Sequence, residues 1–373
     1  MLALTTRRVL RVVAAVVAIP LALGLAAAAA LRLQYAGTPA GWARTTGHDA
    51  LWMGHAWVDG RRTEADVRAL AVRLRAGGIR DVYVHSGPFK YDGTLPPDRY
   101  ANAGNFLKWW RKNVPGVRVS AWLGQTVNDN GKPHLSLADP ATRARVVAGA
   151  RDLVTLGFDG IHYDFEPVDD GDGPFLGVLR ETRAAIGTRL LSVSTQQIEP
   201  LPGLRAPAAL AIGHDKYWTP DYFRQVAGLT DQVAIMTYDS GTPLPSLYGG
   251  YVARQTSLAL DLVPEDKTLL IGAPAYHDHG ISYGDWAESV EAAAEGARLA
   301  ISEHGPRTEF GLALYVDFAA TEEDWREYER AWVRGGAAGS VKSSGMKTSG
   351  VKSSGVKSSG GRSDVRTSAA APR

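Results

Sequence analysis

The chain contains no cysteine, which excludes disulfides, a lipid-modified N-terminal cysteine and thiolate metal sites. Stability must then come from an apolar core, for which 373 residues at 45% apolar composition are ample. No glycine-rich phosphate loop follows the first strand-like run, against the open sheet of a dinucleotide-binding domain. A strong net charge is lacking too, at +2, but that total hides opposed segments. Seven Lys and Arg stand against Asp364 from Gly339 onward, and four Arg lie in the first 33 residues, so the body between carries about −8. An acidic body does not bind phosphate backbones, and no nucleic-acid partner is expected.

The ends differ from the middle. Val12 to Leu31 holds no charge and follows Arg7, Arg8 and Arg11, a basic flank before a run about long enough to span a bilayer. Residues 1–33 are therefore expected to form one N-terminal transmembrane or signal helix, with 34–50 as linker. The body would be extracytoplasmic, held at the cell membrane by that anchor, or secreted if the small residues Ala26 to Ala30 direct cleavage. Residues 339–373 repeat Val-Lys-Ser-Ser-Gly with variations. They lack the apolar periodicity of a core, and a disordered basic tail is expected.

Between these ends, strand-like and helix-like runs alternate through residues 51–338. Ile79 to His85, Val117 to Leu123, Leu190 to Thr195, Thr268 to Ala275 and Phe310 to Phe318 read as strands. Thr63 to Ala76 carries Val67, Leu70, Ala71 and Leu74 at helical spacing, and Asp139-Pro140 and Thr219-Pro220 each pair a cap with a first-turn proline. Eight such units predict an α/β fold, a (β/α)8 TIM barrel with the polar groups at strand C-termini gathered at one mouth.

The most informative run is Asp159-Gly160-Ile161-His162-Tyr163-Asp164-Phe165-Glu166. As a strand it points His162, Asp164 and Glu166 to one side and Tyr163 and Phe165 to the other. Three ionisable groups on one strand face are costly to bury without a job or a partner. Further on stand Met236-Thr237-Tyr238-Asp239 and Gly272-Ala273-Pro274-Ala275-Tyr276.

These three stretches, in this order, resemble glycoside hydrolase family 18, the chitinase and endo-N-acetylglucosaminidase family. Its D-G-x-D-x-D-x-E signature is met here except that His162 stands where the middle aspartate would be. The third-strand S-x-G-G pattern appears only as Ser120-Ala121-Trp122-Leu123-Gly124, and Tyr315 takes the place of the last-strand Trp. The chain therefore resembles a divergent member.

The resemblance implies hydrolysis of N-acetylated amino-sugar glycans, chitin-like or peptidoglycan-like, assisted by the substrate's own 2-acetamido group. Glu166 would be the general acid and base, Asp164 would orient the acetamido group, and Tyr238 would donate a hydrogen bond to its carbonyl oxygen. Asp239, His162, Trp122, Tyr276 and Tyr315 would bind substrate, with His162 paired to Asp164. No cofactor or metal is expected, and the protein would act as a monomer. Trp57 and Trp218 are further candidates for sugar platforms. Two alternatives stand beside this reading. One is a catalytically silent carbohydrate-binding barrel; the other is a metal-dependent barrel hydrolase using His85, His162, His277 and His279 with Asp164.

Overall fold

A computed structural model of the chain describes residues 18, 21–128, 131–277, 284 and 286–336. Eight parallel strands close into a barrel: β1 (Asp49–Met53), β2 (Ile79–His85), β3 (Arg118–Thr126), β4 (Gly160–Glu166), β5 (Leu190–Thr195), β8 (Gln232–Ile235), β9 (Thr268–Pro274) and β10 (Phe310–Tyr315). The intervening pair β6 (Gln197–Ile198) and β7 (Tyr217–Trp218) forms its own small parallel sheet. Around the barrel lie α2 (Glu64–Gly77), α3 (Ala103–Asn113), α4 (Pro140–Leu156), α5 (Gly173–Ile186), α7 (Pro220–Leu229), α8 (Pro245–Leu262), α9 (Val290–His304) and α10 (Glu322–Glu327). Helix α1 spans 21–34, and α6 (Arg205–Ile212) sits between β6 and β7. The expected TIM barrel is thus the observed one.

Local chemistry starts the helices where the sequence placed them. The Asp139 carboxylate accepts from the N–H groups of Ala141 and Thr142, and the Thr219 hydroxyl accepts from Tyr222 N–H, each with proline in the first turn. Differences cluster at the edges. The first strand ends at Met53, with His55–Trp57 forming a 3₁₀ turn, and α10 passes into a π-helical turn over Tyr328–Val333. The stretch read as a linker is a packed strap: Tyr35 donates to Glu295, Ala40 N–H to Ser302, and Arg298 to the Ala43 carbonyl, before β1 begins at Asp49.

Among the described residues no helix is long and apolar enough to cross a membrane. Residues 12–17, 19 and 20 of the uncharged run lie outside the described residues, as does the tail 339–373 expected to be disordered.

Strand alternation builds two cores. Outward residues such as Leu51, Val82, Ile161, Tyr163 and Ile271 pack under the helices. Inward residues Ala50, Trp52, Tyr83, Trp122, Ala234, Leu270 and Ala313 fill the barrel itself. Small residues among them leave room for the aromatic rings. Gly160 shows how tight the fit is, since a Cβ there would lie 2.4 Å from the Leu190 carbonyl oxygen.

At the base, fully buried Asp49 ties the first strand to the last elements. Its Oδ1 accepts from Leu312 N–H at 2.7 Å and Trp332 Nε1 at 2.8 Å, and its Oδ2 from the Tyr328 hydroxyl at 2.9 Å and from Thr45. Burial nevertheless pushes its carboxyl up to about 6. Asp49→Ala would leave the buried Leu312 N–H and Trp332 Nε1–H unmet, while the Tyr328 hydroxyl keeps the Gly77 carbonyl at 2.7 Å. The substitution should lower the unfolding free energy by about 3 kcal/mol or more. Denaturant unfolding checks this, and a loss below roughly 1 kcal/mol would contradict the closure role.

Candidate active site

The site sits at the C-terminal ends of the strands, where β4 delivers its carboxylates. Pairing with β3 sets Trp122 opposite His162, Gly124 opposite Asp164 and Thr126 opposite Glu166. Tyr163 and Phe165 point outward, as their spacing requires: the Tyr163 hydroxyl bonds Thr182 of α5 at 2.8 Å and Phe165 packs on Phe89 and Phe175. Gly124 is obligatory in this register because a Cβ there would meet the Asp164 carbonyl oxygen at 2.2 Å.

Asp164 and Glu166 share an environment that resists charge. Trp122 Nε1 donates to Asp164 Oδ2 at 2.8 Å, while Asp164 Oδ1 is buried with no hydrogen-bond partner among the described residues. Burial raises the Asp164 carboxyl, against the lowering effect of hydrogen bonds from Ser194 and Trp122. Glu166 is pushed well above the usual carboxylate range, first by burial and then by the charges of Asp164 and Asp239. No described residue donates to it. Such a placement favours the protonated form of the carboxyl.

Facing the carboxylates is a cluster of three tyrosines. Tyr238 stacks on Tyr315 with ring centroids 5.3 Å apart, and Tyr276 meets both edge-on at 5.9 and 5.7 Å. Burial pushes the Tyr238 phenol well above its ordinary value, so it stays a proton donor. The Tyr276 hydroxyl donates to Asp239 Oδ1 at 3.0 Å. Asp164, Glu166, Trp122, Tyr238, Asp239, Tyr276 and Tyr315 are therefore brought together.

His162 is not part of that group, and the expected pair with Asp164 is corrected. Its ring lies one layer deeper and fully buried, stacked on Tyr83 at 3.7 Å. Nε2 accepts from Trp52 Nε1 at 3.0 Å and lies 3.0 Å from the Ser194 hydroxyl, and Nδ1 meets the Ser192 hydroxyl at 2.8 Å. Burial holds its pKa well below the ordinary value, so it is neutral and cannot counter Asp164 as a cation. Nor does it reach the mouth to bind substrate. The reason is the strand step: two residues along β4 lower a side chain by one layer. Trp57 and Trp218 are also corrected as platforms. The Trp57 indole donates to Asp317 and the Trp218 indole to the Val168 carbonyl, both from within the core.

The histidines of the metal alternative are held apart. His85 stacks between His55 and Trp122, His277 pairs with Asp324 at 2.9 Å, and His279 lies outside the described residues.

Three supporting residues escaped sequence reasoning because they are distant in the chain. Gln197 donates to the carbonyls of Met236 and Tyr238, holding the segment that follows β8. Glu288 accepts from Asp239 N–H at 2.7 Å and from Ser240 N–H at 2.9 Å, and so holds Asp239 at φ 54°, a left-handed conformation that few non-glycine residues adopt and aspartate enters more readily than most. Burial moves its carboxyl up to about 7. Lys216 reaches the Asp239 carbonyl at 3.0 Å.

No family model and no curated protein sequence matches the chain. Solved structures do. A class V chitinase from Pseudomonas fluorescens Pf-5 superposes with TM-score 0.53 at 15% identity, over 75% of this chain and 98% of that one. A chitinase from Bacteroides thetaiotaomicron gives 0.53 at 13%, over 77% and 97%. The Bacillus cereus spore cortex-lytic enzyme SleL gives 0.52 at 15%, over 76% and 74%. The fold is one that chitinases share. At such identities the likeness concerns architecture, and the chemistry rests on the site itself.

Two outcomes follow from the geometry. In Asp239→Asn the Glu166 carboxyl should titrate at lower pH than in the parent, because a charge that raises it is gone; carbon NMR of the carboxyl reads the shift, and an unmoved titration contradicts the coupling. His162→Gln should cost about 2–4 kcal/mol through lost stacking and strained hydrogen bonds. Denaturant unfolding of the variant measures it, and unchanged stability would return His162 to the list of mouth residues.

Proposed function

We propose that this protein is a glycoside hydrolase acting on glycans of N-acetylated amino sugars, with retention of configuration through the substrate's 2-acetamido group. The observation that carries this reading is the unpartnered, buried Asp164 Oδ1 beside a Glu166 whose carboxyl favours the protonated state. Two carboxyl groups projecting the same way from one strand do not flank a glycosidic bond as an acid and nucleophile pair must. A nucleophile supplied by the substrate removes that requirement.

In this mechanism Glu166 donates its proton to the glycosidic oxygen as the bond to the anomeric carbon breaks. The acetamido carbonyl oxygen attacks that carbon from the opposite face, giving an oxazolinium ion. Asp164 accepts the acetamido N–H through Oδ1 and balances the positive charge, while the Tyr238 hydroxyl donates to the acetamido oxygen. Glu166, now a carboxylate, takes a proton from water; the water oxygen bonds the anomeric carbon and the oxazolinium ring opens. Asp239, Trp122, Tyr276 and Tyr315 line the sugar site. Fold likeness to chitinases and to a spore cortex-lytic enzyme supports glycans of this class. We further read the body as extracytoplasmic, held at the membrane by a helix that includes α1.

The test compares the full chain with its Glu166→Gln variant on a chromogenic di-N-acetylchitobioside. Glu166→Gln should lose about 10³-fold or more in kcat while still binding the oligosaccharide. The de-N-acetylated substrate should resist the parent enzyme. Equal turnover by parent and variant, or cleavage of the de-N-acetylated substrate, would sink the mechanism.

A further inference from the structure

The strap that precedes β1 fixes where α1 leaves the barrel. In a parallel barrel each helix follows one strand at the mouth and precedes the next at the base, so α8 and α9 run from mouth to base. The strap follows α9 in the same direction. Tyr35 bonds Glu295, Gly37 lies against Leu299, Ala40 bonds Ser302, and Thr46 reaches the carbonyls of Thr308 and Phe310 where β10 begins. Followed backward, the chain therefore climbs toward the mouth, and α1 lies at that end.

The contact there is close. Cβ atoms added to Gly249 and Gly250 would meet the Tyr35 ring at 2.1 Å and the Leu31 carbonyl oxygen at 1.9 Å. Both glycines lie in the second turn of α8, which starts at Pro245. Toward its start α1 is open to its surroundings: Leu21, Leu23 and Leu25 are 62, 65 and 64% exposed.

An independent observation marks the same end. Eleven large apolar side chains outside α1 are exposed among the described residues, and eight of them lie on segments leaving the C-terminal ends of barrel strands. Four belong to one excursion. Leu201, Leu204, Leu210 and Ile212 lie between β6 and β7, and no residue of α6 is buried. Aliphatic side chains lack the flat rings on which sugars stack, so these are not sugar subsites. The excursion departs beside α8, where Arg254, one turn after Gly250, donates to the Pro200 carbonyl. Its return carries Lys216 to Asp239 in the site.

We propose that α1 and the apolar excursion 201–212 enter the same lipid bilayer, so that the active-site mouth faces the membrane and takes amino-sugar glycan held at the lipid surface. A bilayer is the occupant because the uncharged run that begins at Val12 continues into α1, whose last turn packs on α8 at the mouth end and whose leucines are exposed. The inference deepens the proposed function and rests on its anchor and its chemistry.

The absence of cysteine makes the test direct, because one introduced thiol is the only labelling site. Leu210→Cys and, at the base end of α4, Leu156→Cys are labelled in the full chain with an environment-sensitive fluorophore. Each is reconstituted in phosphatidylcholine vesicles containing lipid with a nitroxide on its acyl chain. The label at 210 should be quenched at least twofold and that at 156 left unchanged. An N-acetylated chito-oligosaccharide tethered to vesicle lipid by a short spacer should be cleaved at least tenfold faster than the free sugar.

Protein that does not float with the vesicles would overturn the anchor and this inference together. Floating protein with neither position quenched, or both, overturns the orientation alone. A blue-shifted but unquenched label at 210 does the same and points to a second copy covering the excursion. Quenching at 210 without preference for the tethered sugar overturns the substrate half. Inactivity on both sugars, with 210 quenched, rejects the glycosidase reading and leaves the orientation standing.

Discussion

The site stands on the packing inside the barrel. Asp164 can hold its position only because the layer beneath it is solid: Tyr83 stacked on His162, Trp52 bonded to the same imidazole, and Trp122 stacked on His85 while donating to Asp164. That column needs space, which Ala50, Gly160, Ala234 and Ala313 supply by presenting little or no side chain to the interior. Close packing transmits any change in this layer upward, since an interior at crystal-like density has nowhere to absorb a shift. A neutral histidine at position 162 belongs to this economy of space. A ring there fills the barrel and uses the serines of β5, whereas an aspartate would leave a hole and bring a second charge beneath Asp164.

Electrostatics at the mouth run against stability. Asp164 and Glu166 have carboxyls raised by burial, and Glu288 sits at about 7 for the same cause. A carboxyl whose pKa rises on folding binds more protons in the native state, so its contribution to stability falls as pH climbs from the unfolded value through the folded one. Each group thus costs stability at neutral pH that the cores under the helices and inside the barrel must offset. A solely structural ion network would place cations beside the carboxylates. Asp81 at the base is ion-paired in this way, gripped by Arg118 through two hydrogen bonds of 2.7 and 2.8 Å. The base thus holds both kinds, Asp81 paired with an arginine and Asp49 raised by burial but met by four donors, whereas Asp164 and Glu166 at the mouth are raised with few donors to hold them.

What the sequence revealed was whatever depends on short-range periodicity. The alternation in β4 predicted which side chains face inward, and helix starts at Asp139 and Thr219 followed from capping chemistry within three residues. The errors lie where the partner is remote. His162 was matched with Asp164, two positions away, yet its partners Ser192, Ser194 and Trp52 come from β5 and β1 through barrel register. Glu288 bonds a backbone 49 residues earlier and has no local signature. Trp57 and Trp218 are candidate sugar platforms in the sequence, but their indole N–H groups find acceptors inside the fold. The excursion around α6 has no such signature, because a short apolar stretch without a buried face shows no periodicity.

That exposed aliphatic stretch also bears on how a glycan would reach the site. An aliphatic surface at a catalytic mouth is a liability for a protein that meets its substrate in bulk water, since exposed apolar area invites association. It is an asset where the substrate lies beside lipid, because the same surface that draws the mouth to the bilayer shortens the search to two dimensions. The glycine pair in α8 fits the second situation: Gly249 and Gly250 let the backbone of α1 approach so closely that its exit is tied to the barrel rather than left to a flexible tether. A rigid exit fixes orientation, and orientation matters only if one face of the enzyme has to meet one surface.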